Sequence, residues 1–468
     1  MTGNIQRVAI AGGGITAWSA AAALKRKLPM LDVLVVSSPP PPDALADRIA
    51  NTLPSIGEFH ADLGLSEEDT IIRAQSGIRL GTHFSGWSEG LPDYVHAYGS
   101  YGASVPGIPF HQLWLREGHS QPYDSYSLAA ELGRSERFAT ADTADAQLGY
   151  GLRLTVDRYC ELMRAYALHL GATERPGDVA DVEVREDGFV AAMILVDGGR
   201  VEADLFVDCT GPAARLRSRL DGDRESWAQW LLCDRVRVAG SQPDHAQSLL
   251  DEVSAEPNGW SSACATVFSS SHETTGEIAA VPLRQGRLAE PWIRNCVGIG
   301  DAAVAVEPLE WTNLHLVHSQ IDRLVSMMPG ADCAPVELAE YNRQCNAEAD
   351  RVRDFIVMHY VTARPTTPFW KDVASIELPA SLEHSLSLFA DRGRLPYYEE
   401  ETFTRDSWLA VLFGQGFLPR RVDPLAYALP ADEVARTLSA CRDSVTAFTG
   451  SQPSYRDFIS AMGQRAPL

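Results

Sequence analysis

Lysine is nearly missing from this chain, which holds only Lys25, Lys27 and Lys371. Chemistry that needs a nucleophilic amine therefore has few places to sit. Positive charge as a whole is short: 40 lysines and arginines face 62 aspartates and glutamates, for a net charge of −22. Nucleic acid and anionic membranes both need positive surface, so neither is expected as a partner. Long apolar runs are also missing. A membrane span needs about 18 consecutive apolar residues, and the first apolar stretch, 8–11, breaks at once into glycines. No secretory signal precedes it, so a cytoplasmic protein is expected. The eight cysteines (160, 209, 233, 264, 296, 333, 345 and 441) include no Cys-x-x-Cys pair. That excludes a zinc site or a disulfide framework and implies reduced thiols.

What is present is ordinary for a globular protein: 45% hydrophobic and 22% charged residues in a length of 468, room for two or three domain-sized units. Residues 7–11 form a short apolar run ending at Gly12-Gly13-Gly14. An alanine-rich, helix-favouring stretch follows, and "LDVLVVSS" (31–38) reads as a buried strand. Residues 7–38 thus have the order and length of a βαβ unit. Between about 76 and 120, partial alternation with glycines, aromatics and prolines predicts hairpins and loops rather than helices. Residues 157–172 show helical spacing and end at Gly171. Residues 179–211 read as three strands with turns at Asp187-Gly188 and Gly198-Gly199. Residues 222–290 look mixed, and from 312 the chain turns helical, with proline and glycine breaks at 329–335 as a boundary.

Gly12, Gly14 and Ala17 fit G-x-G-x-x-G/A between a strand and a helix, with Gly13 between the first two. Such a turn lets backbone approach a diphosphate while helix N-terminal amides face its charge. The acidic residue expected to bind ribose at the end of the second strand is replaced by Ser37, a weaker partner. Two later strands, "DLFVDCTG" ending at Gly211 and "NCVGIGD" ending at Gly300-Asp301, have the form of strand ends brought back to the same cofactor. A dehydrogenase would not need the late Gly-Asp, so the ordered set favours FAD over NAD, held loosely.

The chain resembles the flavin-dependent tryptophan halogenases over most of its length. The likeness is carried by "VAIAGGGITAW", "FSGW" with "YVHAYGSYG", "DLFVDCTGPAARL", "RQGRLAEPWIRNCVGIG", "EPLEWTNLHL" and "SWLAVLFGQGFLP". It implies an α/β fold: a Rossmann-like FAD-binding domain over 1–330 with a mixed substrate-binding sheet interleaved at about 76–150 and 222–290. A mainly helical region over 331–468 then closes the substrate pocket. It further implies that FADH2 from a separate flavin reductase reacts with O2 to give a flavin hydroperoxide. Glu310 matches the family's catalytic glutamate, and His96 and Tyr98 match the edge of its substrate pocket.

The departures from the family pattern are as informative. The family's lysine ahead of F-x-x-W is here Arg79, which stays charged and cannot form a haloamine. Of the family's W-x-W-x-I-P only Trp260 remains, and "DRIANTLPSI" (47–56) stands near the place of its G-x-G-E-A-T flavin strap. In the halide-binding stretch Thr312 is followed by Asn313 in place of glycine. His83, four residues after Arg79, is expected on the same strand face and is the nearest candidate base. Together these predict an FAD-dependent oxygenase that hydroxylates an aromatic, indole-like small molecule. The alternatives are a halogenase that uses Arg79 and Glu310 without a haloamine, and a non-catalytic flavin-binding relative.

Overall fold

The computed structural model describes residues 3–49, 51–140, 148–220, 222–239, 248–272 and 280–465. Residues 141–147, 240–247 and 273–279, within the segments expected to carry the substrate sheet, lie outside the described residues, as does residue 50 of the 47–56 stretch. The chain divides into two compact units, each assembled from three stretches. The first comprises Met1–Ser76, Arg153–Pro243 and Gly276–Asp350; the second comprises Gly77–Leu152, Asp244–Thr275 and Arg351–Leu468. The last cut falls at 350/351, inside the helix Pro335–Thr362, rather than at the breaks of 329–335.

A six-stranded sheet organises the first unit, in the order Trp292–Ile293, Cys296–Gly298, Leu205–Asp208, Arg7–Ala11, Asp32–Ser37, Thr173–Pro176. All neighbours after the first pair run parallel. Ala11 stands opposite Val36 on one side and Asp208 on the other, and Asp208 stands opposite Gly298. This register ends the strands together, which places Gly12, Ser37, Gly211 and Gly300 along one edge, where open α/β sheets take their ligands. The helix Ile15–Lys27 returns across the sheet with residues 15–25 all buried, which accounts for its run of alanines: larger side chains would not fit between its neighbours. It packs against the helices Val156–His169 and Thr312–Ser326.

The stretch 179–211 makes four strands, not three. Val179–Val184, Val190–Leu195 and Arg200–Val201 form a small antiparallel sheet, and Leu205–Asp208 joins the large one. Asp204 makes the transfer. Its carboxylate accepts from the backbone N–H groups of Gln6 and Arg7, both at 2.9 Å, so the chain is handed from one sheet to the other at that residue.

In the second unit, Ala265–Phe268, Gly259–Ser262, Leu250–Glu256, Gly81–Ser85 and Tyr94–Ala97 lie side by side in that order. Only the third and fourth run parallel. Gly81 is required here by close approach: a Cβ would stand 2.3 Å from the carbonyl oxygen of His96. The expectation of hairpins and loops alone before 120 fails at the helix Phe110–Glu117. Pro109 opens it and Gly118, in the left-handed region, closes it. Its apolar stripe (Phe110, Leu113, Trp114) is buried, and burial of that size outweighs the irregular flanking sequence. The C-terminal segment is helical, as expected, with Ala380–Arg392, Arg405–Gly414, Ala431–Ser451 and Tyr455–Arg465 as its longer elements wholly within this unit.

Candidate active site

In the first unit the glycine turn is built by steric necessity. A Cβ on Gly12 would lie 2.5 Å from the carbonyl oxygen of Cys209, and one on Gly13 would lie 2.5 Å from that of Ser38. Both obstacles are backbone and cannot swing away. Gly14 is the N-cap of the helix Ile15–Lys27 and offers no side chain to its amides, while Ala17 is fully buried beneath. Gly300, at φ 66°, lies against Thr16: a Cβ there would meet Thr16 Cγ2 at 3.1 Å. The glycine clusters at 12–14 and 300, nearly three hundred residues apart, therefore meet. Gly211 (φ 78°) faces Pro41 and Ala44. Ser37 ends its strand with its hydroxyl on the Glu174 carboxylate of the neighbouring strand.

Asp301 is buried, and its Oδ2 accepts from the backbone N–H of Ala46 at 2.8 Å. Burial raises its pKa to about 8, and the nearby carboxylates of Asp47 and Asp43 push in the same direction. Asp47, which the sequence reading did not single out, accepts from the Thr16 N–H at 2.8 Å. These residues would fit FAD: the glycines leave room for a diphosphate, the helix N-terminus would turn its amides to it, and a buried acid stands at the last strand end. Asp47 alone is out of keeping with an anionic ligand.

Glu310 and Trp311 follow one another in the left-handed region, at φ 62° and 61°, and both are buried. For residues with a Cβ this costs roughly 1–2 kcal/mol each, so the surrounding fold imposes it. The helix Thr312–Ser326 starts immediately after, with no side-chain cap. Thr312 Oγ1 is buried and finds no hydrogen-bond partner among the described residues. Asn313 turns its Nδ2 back to the Val306 carbonyl at 2.9 Å. Its backbone is helical, so the position does not demand the family's glycine. One turn on, His315 joins Ser55 Oγ (2.8 Å) to Glu348 Oε1 (3.1 Å), pinning the end of the 47–56 stretch to this helix. Burial opposes the charge of Glu348, yet His315, Arg323 and Ser319 hold its pKa down to about 2.

In the second unit Arg79 is fully buried and tightly held. Its Nε donates to Asp251 Oδ2 at 2.5 Å, Nη1 donates to the Tyr98 hydroxyl, and Nη2 donates to Thr82 Oγ1 at 3.3 Å. His83 is elsewhere. It is partly exposed and pairs with Glu252 at 2.8 Å, so Arg79 and His83 do not share a face. The strand breaks at Leu80, between Gly77–Arg79 and Gly81–Ser85, and the break reverses the alternation. His96 lies opposite Thr82, with its ring 6.0 Å from that of Tyr98. Around it stand Phe355 (5.8 Å) and Phe403 (6.2 Å), which stack on each other at 3.7 Å, with Trp408 5.2 Å from Phe355. Phe403 and Trp408 also line a cavity of about 310 Å³ with Arg351, Tyr398 and Glu401. Trp260 is fully buried, opposite Ala255 and Val267. Sequence reading did not single out Asp251, Phe355 or Phe403, because an acid on a strand, one aromatic on a helix and another in a bend carry no motif.

The profile of the family described as tryptophan halogenase matches residues 7–431. The chain belongs to this family. Among curated relatives, the tryptophan 6-halogenase SttH of Streptomyces toxytricini is 26% identical, with 99% of each chain covered. Among solved structures, BrvH, a flavin-dependent halogenase from Brevundimonas sp. BAL3, is 32% identical, with 98% of this chain and 99% of that one covered and a TM-score of 0.90. Xcc4156, a flavin-dependent halogenase from Xanthomonas campestris, is 30% identical, with 98% of each chain covered and a TM-score of 0.87. Members of the tryptophan halogenase family are enzymes that use FADH2 from a separate reductase together with O2. The chain is accordingly a flavin-dependent oxidoreductase with a Rossmann-like FAD fold. No helix among its described residues is long and apolar enough to cross a membrane.

Proposed function

We propose that this chain is an FADH2-dependent halogenase of an aromatic, indole-like small molecule, working without a haloamine. These comparisons support halogenation better than the hydroxylation placed first by sequence. The observation that carries the reading is the start of the helix Thr312–Ser326. Its uncapped N-terminus, with the buried Thr312 hydroxyl free to donate, is suited to a halide. Asn313 does not obstruct it, since its side chain is turned back to Val306.

Reduced FAD with O2 supplies the oxidising equivalent that turns halide into an electrophile. The residues proposed to hold the cofactor are Gly12, Gly13, Gly14, Ala17, Ser37, Gly211, Gly300 and Asp301. Ring substitution replaces hydrogen by halogen and releases a proton, and Glu310 is the group assigned to take it. His96, Tyr98, Phe355 and Phe403 form a buried aromatic cluster, whose member Phe403 lines the cavity of about 310 Å³, and this cluster is assigned to receive the aromatic ring. Arg79 supplies fixed positive charge in place of the family's amine. His83 and Trp260 are assigned no contact with substrate. His83 is occupied by Glu252 toward solvent, and Trp260 is core.

Hydroxylation is the second reading, favoured by the engagement of Arg79 with Asp251 where an amine would otherwise carry the halogen. Purified protein with FAD, NADH, a flavin reductase and indole, with and without bromide, separates the two by product mass. A brominated indole is expected. An oxygenated product independent of bromide would replace halogenation with the second reading, and NADH oxidation without the reductase would end the two-component assignment.

A further inference from the structure

The helix N-terminus that should face the FAD diphosphate already holds a carboxyl group of the chain's own. Asp47 Oδ1 accepts from the N–H of Thr16, the second residue of the helix, at 2.8 Å. The Thr16 hydroxyl engages the same carboxylate. The space that Gly14 leaves open is the space this carboxylate fills: a Cβ on Gly14 would lie 2.4 Å from Asp47 Cγ and 2.5 and 2.7 Å from its two oxygens. Asp47 is buried. The adjacent Arg48 turns away, donating to the Pro40 and Pro41 carbonyls. Asp301 holds the segment in place through the Ala46 N–H. Counted back from Thr52, Asp47 stands where the family's G-x-G-E-A-T strap begins with glycine, a residue that could not do this.

Helix amides and the helix dipole favour one anion here. A diphosphate and the Asp47 carboxyl group cannot both occupy the seat, because the carboxyl fills the space over Gly14 and takes the Thr16 N–H, and in its ionised form it would also repel the diphosphate. We propose that Asp47 is a built-in competitor for the FAD diphosphate: its carboxylate caps the helix in the flavin-free chain and is expelled when FAD binds. Flavin affinity is then set by a residue that does not contact the flavin productively. An enzyme that takes reduced flavin from a separate reductase and must give oxidised flavin back gains turnover from such loosened binding.

The test measures FAD affinity by fluorescence titration and thermal unfolding with and without FAD, for wild type, Asp47→Asn and Asp47→Gly. Both variants should bind FAD at least tenfold more tightly than wild type, and the flavin-free Asp47→Gly form, which loses the cap altogether, should melt lower. Inorganic pyrophosphate alone should raise the melting temperature of the variants and leave wild type unmoved. Equal or weaker FAD binding by folded variants overturns the proposal. Wild type can be read without substitution: carbodiimide labelling of Asp47, followed by peptide mass spectrometry, should rise when FAD is added, and unchanged labelling also overturns it. Wild type that bound no FAD at all would instead refute the flavin site on which the proposal rests.

Discussion

Arg79 and Asp251 form an ion pair, Nε to Oδ2 at 2.5 Å, with side-chain exposures of 0% and 8%. The pair explains how an arginine can stand where the family keeps an amine. A guanidinium cannot shed its proton on burial, so a buried carboxylate accompanies it. Asp251→Ala leaves that charge uncompensated and should cost about 3–5 kcal/mol in urea unfolding. Arg79→Lys alone should yield no haloamine chemistry, since Asp251 would keep the ammonium protonated. Arg79→Lys with Asp251→Asn frees the amine, and a gain in bromination confined to the double variant is the expected outcome by mass spectrometry.

Glu310→Gln keeps the shape of the left-handed turn and removes the charge. Turnover should fall by about 10²-fold, within the range for a positioned acid–base group, with FAD affinity unchanged. Equal loss of FAD binding would mean that the substitution had disturbed the fold around the helix Thr312–Ser326 instead.

Gly12→Ala should abolish folding of the first unit, because the new Cβ meets the Cys209 carbonyl oxygen at 2.5 Å and neither backbone can yield. Gly57→Ala, in the helix Ile56–Leu63, meets nothing within 4 Å. It should leave the circular-dichroism melt unchanged or raise it slightly. A folded, FAD-binding Gly12→Ala would contradict the glycine-turn geometry.

Asp301 gives the flavin-free protein a pH dependence of definite sign. Its folded pKa is raised to about 8 from an ordinary 3.8. The unfolded chain therefore gives up this proton first as pH rises. The stability held by the protonated form is complete below pH 4 and is lost as pH climbs toward 8. Asp301→Asn should flatten that decline in melting temperature between pH 5 and 8. His60 works from the other side: burial lowers its pKa to about 4, so stability present above pH 6.5 is lost as pH falls toward 4.

The Rossmann half of the fold could be read from sequence because its signals are local. The apolar runs at 7–11 and 31–38 and the glycines between them each dictate conformation within a few residues. The approach of Gly300 to Thr16, just beyond the glycine turn, was legible only through the ordered set of strand ends. Arg79 and His83 show where such reading stops. Alternation predicts one face, and a break at Leu80 undoes it, with Gly81 beside it the single local hint of an irregularity. Asp47 was illegible for another reason. An aspartate after a proline-rich stretch looks like surface, and only tertiary structure places it on a helix thirty residues upstream. The aromatic group of His96, Phe355 and Phe403 draws on distant parts of the chain and leaves no spacing to find.

The five exchanges of the backbone between the two units, at 76/77, 152/153, 243/244, 275/276 and 350/351, govern how the protein can be made. During synthesis the nucleotide-binding strands emerge first but must wait for residues 205–208 and 296–298 before their sheet has its central members. Until then the apolar edge of Arg7–Ala11 is bare, a hazard for strand-to-strand aggregation. No cut in the sequence separates one unit from the other. Fragment expression should therefore give insoluble product at every truncation point, and slowing translation or supplying chaperones should raise the yield of the whole chain more than changing its surface charge.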